Sequence, residues 1–295
     1  MGSRTTDKQS TLAGTVSIAG VGLHSGEKTN LTIRPAYAGG IVFKRSDLSK
    51  GAENPEKYLI AACPSAVAMT RLGTSIQNSH GASLATIEHL MAAFFICDID
   101  HAIVEIDGPE LPIADGSAAL FVDKLLAVGS RSLEEPRQIL EVETVIEEAL
   151  EDRFIRIEPG SEARLHLEVA FGDDVIGSQS IDLDLNDKEI LRSRLAPART
   201  FCFLRDIDEM QKNGFARGGS LENAIVVDDD GILNDGPLRD PQEFALHKAL
   251  DLLGDLYLAG GPICGKITAY KPGHDLNTRM ARRLDAFFGV HFRQI

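Results

Sequence analysis

Leu84-Ala85-Thr86-Ile87-Glu88-His89-Leu90-Met91-Ala92-Ala93-Phe94-Phe95-Ile96 is apolar on nearly every side, yet it carries Glu88-His89 in its middle. Its length and lack of a polar face predict a buried helix over 84–96, with Ser83 or Thr86 as the cap. An uncompensated Glu in such a place is expensive. Beside a metal ion the same Glu is compensated and can take a proton from water that the metal has acidified. The competing reading is a Glu hydrogen-bonded inside the fold.

A second stretch supplies the partner groups. Asp240-Pro241-Gln242-Glu243 reads as a helix start, with Asp240 as cap, Pro241 in the first helical position and Glu243 where a capping box wants it. The helix is expected to stop at Gly260-Gly261-Pro262. Along it His247, Asp251 and Asp255 recur every four residues and so share one face, while Phe244, Leu250, Leu253 and Leu256 pack a core. From this helix alone a solvated acidic stripe is the alternative. Joined with Glu88-His89, the two segments hold two imidazoles, a carboxylate at i, i+4 spacing and a spare Glu. That is the inventory of a catalytic zinc site with an open coordination position, although the pieces lie half a chain apart.

Around these segments strands and helices mix. Leu31–Pro35, Ile41–Phe43, Ala102–Ile106, Ile155–Ile157 and Leu165–Phe171 read as strands, and Ser117 caps a helix whose apolar face includes Leu120, Phe121, Leu125 and Leu126. Residues before Thr11 read as frayed. The polar stretch Ser130–Pro136 reads as a linker, dividing the chain into domains at 1–132 and 133–295. Sheets and helices occur in both halves without regular βαβ alternation, which gives an α+β class.

At 295 residues two domains are favoured over one. A hydrophobic content of 43% and a charged content of 25% describe an ordinary soluble globular protein. The net charge of −14 argues against nucleic acid and against polybasic attachment to lipid, so an anionic substrate would need a few local cations. Cys63, Cys97, Cys202 and Cys264 are scattered without a CxxC pair and read as reduced thiols of a cytoplasmic protein. Neither a signal peptide nor a membrane-length apolar run is present. Met1–Thr6 formally fits a myristoylation pattern, but such short patterns recur by chance and no basic cluster follows.

Among the other histidines, His274 in Tyr270-Lys271-Pro272-Gly273-His274 reads as a loop residue able to point into a cleft. His24 is bracketed by glycines in Gly20–Gly26. His80, His101, His166 and His291 carry no local signal. Gly214–Ser220 is glycine-rich but lacks the ending of a phosphate loop, so a flexible turn is its default.

Several segments in order resemble the zinc-dependent UDP-3-O-acyl-N-acetylglucosamine deacetylase family of lipid A synthesis in Gram-negative bacteria. They are Gly20–Gly26, Thr86–Ala93, Pro109-Glu110-Leu111-Pro112-Ile113-Ala114-Asp115-Gly116-Ser117, Ala198–Phe201, Gly218–Asn223, His247–Asp251 and Gly273–Asn277. The resemblance implies two α+β domains of similar topology with the helices packed between the sheets. It implies zinc on His89, His247 and Asp251, with Glu88 as general base. His274 would be the protonated group at the oxyanion and leaving amine, oriented by Asp255. Thr200 would donate to the oxyanion, Lys248 would meet substrate phosphate and Phe201 the sugar. An apolar groove for the acyl chain is expected near Ile207–Val227. The implied partner is an acylated UDP-N-acetylglucosamine, handled by a monomer with transient membrane proximity.

Departures stand beside the match. Phe94–His101 is bulkier than the family's glycine-rich run, His101 replaces a usual Asn, and Cys202 stands where glycine is common. Two alternatives therefore stay open: a divergent paralogue acting on another N-acylated sugar nucleotide, and a non-catalytic UDP-sugar-binding relative.

Overall fold

A computed structural model describes residues 8–49, 54–172 and 175–288. The Met1–Thr6 pattern and His291 lie outside them. The fold is α+β and uses one sheet topology twice. The first main sheet runs in the order Val16–Val21, Lys28–Pro35, Ala102–Ile106, Ile41–Arg45, Leu59–Ala61. The second runs Ile146–Leu150, Arg153–Glu158, Ile263–Tyr270, Ala163–Ala170, Ser178–Asp184, with the short Leu140–Glu141 added beside Ile263–Tyr270. On each main path the third and fourth strands pair in parallel, with Phe43 opposite Val104 and Leu167 opposite Ala269. The other main-path pairs are antiparallel.

Helices occupy matching places in the two halves. Helix α1 (Glu88–Ile96) precedes Ala102–Ile106 and α2 (Ala119–Val128) follows it. A short α3 (Lys188–Ile190) runs on into a π-turn at Leu191–Leu195, and α4 is Leu204–Lys212. Helix α5 (Glu243–Tyr257) precedes Ile263–Tyr270 and α6 (His274–Phe288) follows it. All nine residues of α1 are buried, as is every residue of α5 except Lys248. Helices apolar on all sides need cover on all sides. They find it by packing on each other, α1 also on α2, and α5 also on α6 and the strands Ala163–Ala170 and Ser178–Asp184. The sheets bury alternate residues, such as Leu31 and Ile33 or Ile155 and Ile157, so one face of each meets the helices.

The crossing of α1 and α5 is unusually close. A Cβ added at Gly254 would lie 2.1 Å from the Glu88 carbonyl oxygen and 3.1 Å from the Ala92 nitrogen. Glycine there lets one helix backbone rest on the other, and this sets Glu88-His89 beside the acidic face of α5.

Several local expectations are corrected. Ser130–Pro136 is a strand, not a linker; it pairs antiparallel with Lys8–Leu12, and the 132/133 boundary falls inside it. Its composition is polar because nearly all its residues face solvent, which mimics a linker. Lys8–Ser10 are correspondingly in a strand and not frayed. Ser83–Leu84 belongs to a small sheet with Ser75–Gln77 and Val67–Met69, so α1 starts only at Glu88 and has no side-chain cap. Residues 84–87 are apolar for tertiary reasons, and burial without periodicity cannot tell strand from helix.

Helix α5 opens at Glu243, three residues after the expected start. Asp240 accepts from the Gln242 N–H at 2.8 Å and pairs with Arg194, while the Glu243 carboxylate serves Arg199 and the Arg239 N–H instead of a capping box. The helix ends at Tyr257, with Gly260 at positive φ just beyond. Ser117 accepts from the Ala119 N–H as α2 opens; Phe121, Val122 and Leu125 face inward but Leu126 is exposed. His274 is the first residue of α6 and not a loop residue.

The segment after α1 clasps the two halves together. Arg137 donates to Asp98 at 2.6 Å, to Asp100 at 2.8 Å and to the Tyr257 hydroxyl at 3.2 Å, and Lys188 reaches Asp98 at 2.8 Å. Phe94 is fully buried, Phe95 packs edge-on against Tyr257, and His101 takes the Gly40 N–H on Nδ1 and meets Gln9 through Nε2. Within Phe94–His101, Phe95, Asp98 and Asp100 thus join the two halves, while His101 is used within the first.

Gly254→Ala is expected to destabilise the fold by about 1–3 kcal/mol through overpacking. Gly172→Ala, where an added Cβ meets nothing within 4 Å, serves as the near-neutral control. Equal midpoints for the two variants in chemical denaturation would refute the close crossing.

Candidate active site

Three buried side chains converge where α1 and α5 cross. One ligand atom each from His89, His247 and Asp251 lies within 4.8 Å of the others. Asp251 Oδ1 stands 3.4 Å from His247 Nε2 and 3.7 Å from His89 Nε2, and the two rings meet edge to face with centroids 5.1 Å apart. His247 donates from Nδ1 to the Ala198 carbonyl at 3.0 Å, which leaves the Nε2 lone pair facing inward. Asp251 Oδ1 and His89 Nδ1 are buried with no hydrogen-bond partner, a costly condition for polar atoms. Burial holds both imidazoles below their ordinary pKa, His89 at about 3, so both are neutral as ligands must be. On Asp251 burial acts upward, but His247, Lys248, His274 and His89 outweigh it and keep the carboxyl well below its usual range. Two neutral nitrogens and one carboxylate, with an orphaned oxygen between them, fit a divalent metal with room for a further ligand.

A buried carboxyl, Glu88, and a buried imidazole, His274, border this cluster. Burial pushes Glu88 up to about 8; His274 opposes the rise and Asp255 and Asp251 add to it. His274 Nε2 lies 4.0 Å from Glu88 Oε1 and 3.8 Å from Asp251 Oδ2. Burial disfavours the imidazolium, but Asp255, hydrogen-bonded to Nδ1 at 2.9 Å, together with Asp251 and Glu88 drives His274 up to about 9. Asp255 is itself held by the Thr74 hydroxyl at 2.6 Å and the Asn277 amide at 2.9 Å.

The other expected residues lie along one wall. Phe201 packs edge-on to His247 at 6.2 Å and to Phe244 at 4.9 Å. Lys248 sits over the Phe201 ring at 5.4 Å and donates to Asp251 at 3.0 Å. Thr200 is fixed by its backbone, donating to the Gly116 carbonyl and accepting from the Ile225 N–H, both at 2.8 Å. Thr200 and Phe201 open onto a cavity of about 270 Å³ whose apolar lining includes Leu23, Leu72, Ile207, Met210 and Val226. Cys202 lines it too. The Gly214–Ser220 segment contributes Ala216 and Gly219 to the same wall, held by N–H groups of Arg217 and Gly218 on the carbonyls of His24 and Leu23.

Sequence reasoning missed Thr74, which touches both Glu88 and His274. Its N–H donates to Glu88 Oε2 at 3.0 Å, and its hydroxyl reaches Asp255 and, at 3.2 Å, His274 Nδ1. Leu72-Gly73-Thr74 matches no motif, so nothing local pointed to it. Asn277 lay inside a quoted motif without an assigned task. Leu72 and Thr86, two residues before Thr74 and Glu88 respectively, both hold positive φ at 59°. For a β-branched residue such as Thr86 that conformation costs about 1–3 kcal/mol, which the surroundings must offset.

His247→Ala and Asp251→Ala should each weaken divalent-metal binding by more than the roughly 10–100-fold that loss of a supporting partner costs. The exposed His166, paired with Asp182 on another face, should tolerate alanine with affinity unchanged. Equilibrium dialysis decides, and stoichiometric metal in either cluster variant counts against that ligand.

Comparison with known proteins extends these observations to nearly the whole chain. Residues 9–286 match the family profile described as UDP-3-O-acyl N-acetylglycosamine deacetylase. A protein of Phenylobacterium zucineum named UDP-3-O-acyl-N-acetylglucosamine deacetylase is 44% identical over 279 residues, covering 94% of this chain and 93% of its own. Relatives with the same name from Myxococcus xanthus and Haemophilus influenzae are 44% and 39% identical, covering 94% and 93% of this chain and 86% and 89% of theirs. With a His–His–Asp cluster that could hold a metal and a match of this extent, the chain belongs to the UDP-3-O-acyl-N-acetylglucosamine deacetylase family.

Proposed function

We propose that this protein is a zinc-dependent amidohydrolase. It removes the N-acetyl group of UDP-3-O-(3-hydroxyacyl)-N-acetylglucosamine, giving acetate and the free amine at the committed step of lipid A synthesis. The observation that carries the reading is a buried carboxylate, Glu88, 4.0 Å from a cation-prone imidazole, His274, beside the cluster of His89, His247 and Asp251. A carboxyl facing a cationic imidazole is the arrangement expected of a base and an acid once a bound cation draws Glu88 back to its carboxylate form. A module that only bound a sugar nucleotide would have no use for the pair.

An acetamide is a poor electrophile, and a zinc ion held by His89, His247 and Asp251 would supply the Lewis acid that the reaction needs. Glu88, fixed by the Thr74 N–H, takes the proton from the attacking water. His274, held through Nδ1 by Asp255, keeps Nε2–H directed toward the reacting centre. There it stabilises the developing oxyanion and then protonates the departing nitrogen. Thr200 adds a hydroxyl donor to the oxyanion. Lys248 leaves Asp251 to meet the substrate phosphate, and Phe201 packs against the sugar. The apolar cavity beyond Thr200 and Phe201 receives the acyl chain, consistent with its lining of Leu23, Leu72, Ile207, Met210 and Val226.

The division into 1–132 and 133–295 belongs to this reading and is supported by the repeated strand order, with Ser130–Pro136 reaching back to the first half. No helix among the described residues is long and apolar enough to cross a membrane. Cys63, Cys97 and Cys202, which stand as thiols, support a cytoplasmic setting.

Acetate release from the acylated substrate by zinc-loaded protein, abolished by a chelator, is the expected result; silence of the folded, zinc-loaded protein would overturn the reading. Glu88→Ala should keep the metal and lose about 10²–10⁴-fold in kcat, as general-base removal does. Near-normal turnover would remove Glu88 from its role.

The pH profile tests His274. Its acid form is the active one, so activity falls as pH rises through its pKa, at or below about 9 since a bound cation opposes the carboxylates. Asp255→Asn removes the leading attraction and should move this alkaline limb down by about 1–3 units. An unmoved limb would assign the titration to another group.

A further inference from the structure

Two motifs of the sequence, Gly20–Gly26 and Pro109–Ser117, supply neither metal ligand nor acid–base group, yet they meet at one buried carboxylate. Glu110 is 1% exposed and accepts from three different donors. The His24 N–H lies 2.9 Å from Oε1, the Ser25 N–H 2.7 Å from Oε2, and the Thr86 hydroxyl 2.8 Å from Oε1. Gly22 makes room for it, since a Cβ there would fall 2.4 Å from Oε2.

Each donor leads to Glu88 by a short route. Thr86 stands two residues before Glu88 and holds its positive φ with its hydroxyl tied to Glu110. His24 donates from Nε2 to the Leu72 carbonyl at 2.9 Å. Leu72 is the other residue at positive φ in this region, and it leads directly into Gly73 and Thr74. A Cβ at Gly73 would lie 3.0 Å from Glu88 Oε1, and Thr74 donates its N–H to Glu88 Oε2 at 3.0 Å. Both segments that confine the Glu88 carboxylate are therefore strained, and both trace their restraint to Glu110. Leu23, His24 and Leu72 also line the apolar cavity, so the same anchor sets part of its wall.

We infer that Glu110 is a positioning residue for the hydrolysis: through Thr86 and through His24–Leu72 it holds two strained segments in place and thereby aims Glu88. This rests on the deacetylase reading above. Glu110 touches neither substrate nor metal ligand and acts only through these neighbours. Its Gln variant keeps the size but turns an amide N–H₂ toward donors that need an acceptor.

The test compares wild type, Glu110→Gln, Thr86→Val, Thr86→Ser and the Glu110→Gln/Thr86→Val double variant, all zinc-loaded, on the acylated substrate. Glu110→Gln is expected to bind zinc stoichiometrically and to lose roughly 100-fold in kcat, the scale of an ångström-sized misplacement. KM should change little, because ground-state contacts are intact. Thr86→Val should fall in the same way and Thr86→Ser should restore activity. The double variant should be no worse than the weaker single, as for residues acting in one unit. A folded, zinc-loaded Glu110→Gln with wild-type kcat, or single effects that multiply in the double, would overturn the inference. Should Glu110→Gln fail to fold, Thr86→Ser and Thr86→Val decide, and equal activity in both overturns it. If wild type itself is silent, the deacetylase reading fails separately. A crystal structure of Glu110→Gln then judges the positioning: relaxation of Thr86 or Leu72 to negative φ supports it, and unchanged backbones refute it.

Discussion

Helices α1 and α5 approach so closely at Gly254 that a single added carbon would overlap the Glu88 carbonyl. The His–His–Asp cluster and Glu88 are placed by that approach. It brings His89 from one half of the chain to His247 and Asp251 from the other, and it puts Glu88 within reach of His274 at the start of α6. Helices that close must be buried on all sides, which requires a sheet on each flank. The doubled topology supplies them. The clasp of Arg137 with Asp98, Asp100 and Tyr257 ties the halves together at the end of α1 away from Glu88.

Electrostatic roles then follow from burial. Three carboxylates, Glu88, Asp251 and Asp255, lie within a few ångströms in a site screened from water. Such a group cannot remain charged without compensation. His274 provides one cation and Lys248 a second, and a divalent ion on the His89–His247–Asp251 face would provide the rest. Burial raises Glu88 and the surrounding carboxylates raise His274, so a divalent ion in the cluster would both relieve the charge and draw Glu88 back toward its carboxylate form. Asp255 links the two requirements, since it holds His274 and is held in turn by Thr74 and Asn277.

The apolar cavity and the polar cluster share a wall at Thr200 and Phe201. That wall is built by local rules: Thr200 accepts from Ile225 in a parallel pair of strands and donates to Gly116, whose own close approach to the Asn223 carbonyl leaves no space for a side chain. An apolar cavity and a charged cluster thus lie on either side of one short strand. The segments that complete the cavity come from both halves of the chain, through loop residues Leu23 and Leu72 on one side and Ile207 of α4 and Val226 of a strand on the other.

Much of this was legible in the chain itself. Glu88-His89 inside an apolar run and the four-residue spacing of His247, Asp251 and Asp255 are local patterns, and helical geometry alone puts the last three on one face. The α+β class followed from strands and helices mixed without βαβ alternation. What remained hidden depends on contacts distant in sequence. Ser130–Pro136 read as a linker because a strand solvated on both faces has a linker's composition; only its pairing with Lys8–Leu12 reveals it. The start of α1 was misplaced because Leu84, Thr86 and Ile87 are buried by other segments, and burial leaves no period to read. Thr74 and Glu110 gain their importance from partners 14 to 200 and 24 to 86 positions away. Residue types and their helical spacing determined which chemistry the chain could carry. Tertiary structure alone decided where those groups meet and what aims them, because a hydrogen bond depends on position in space and not on distance along the chain.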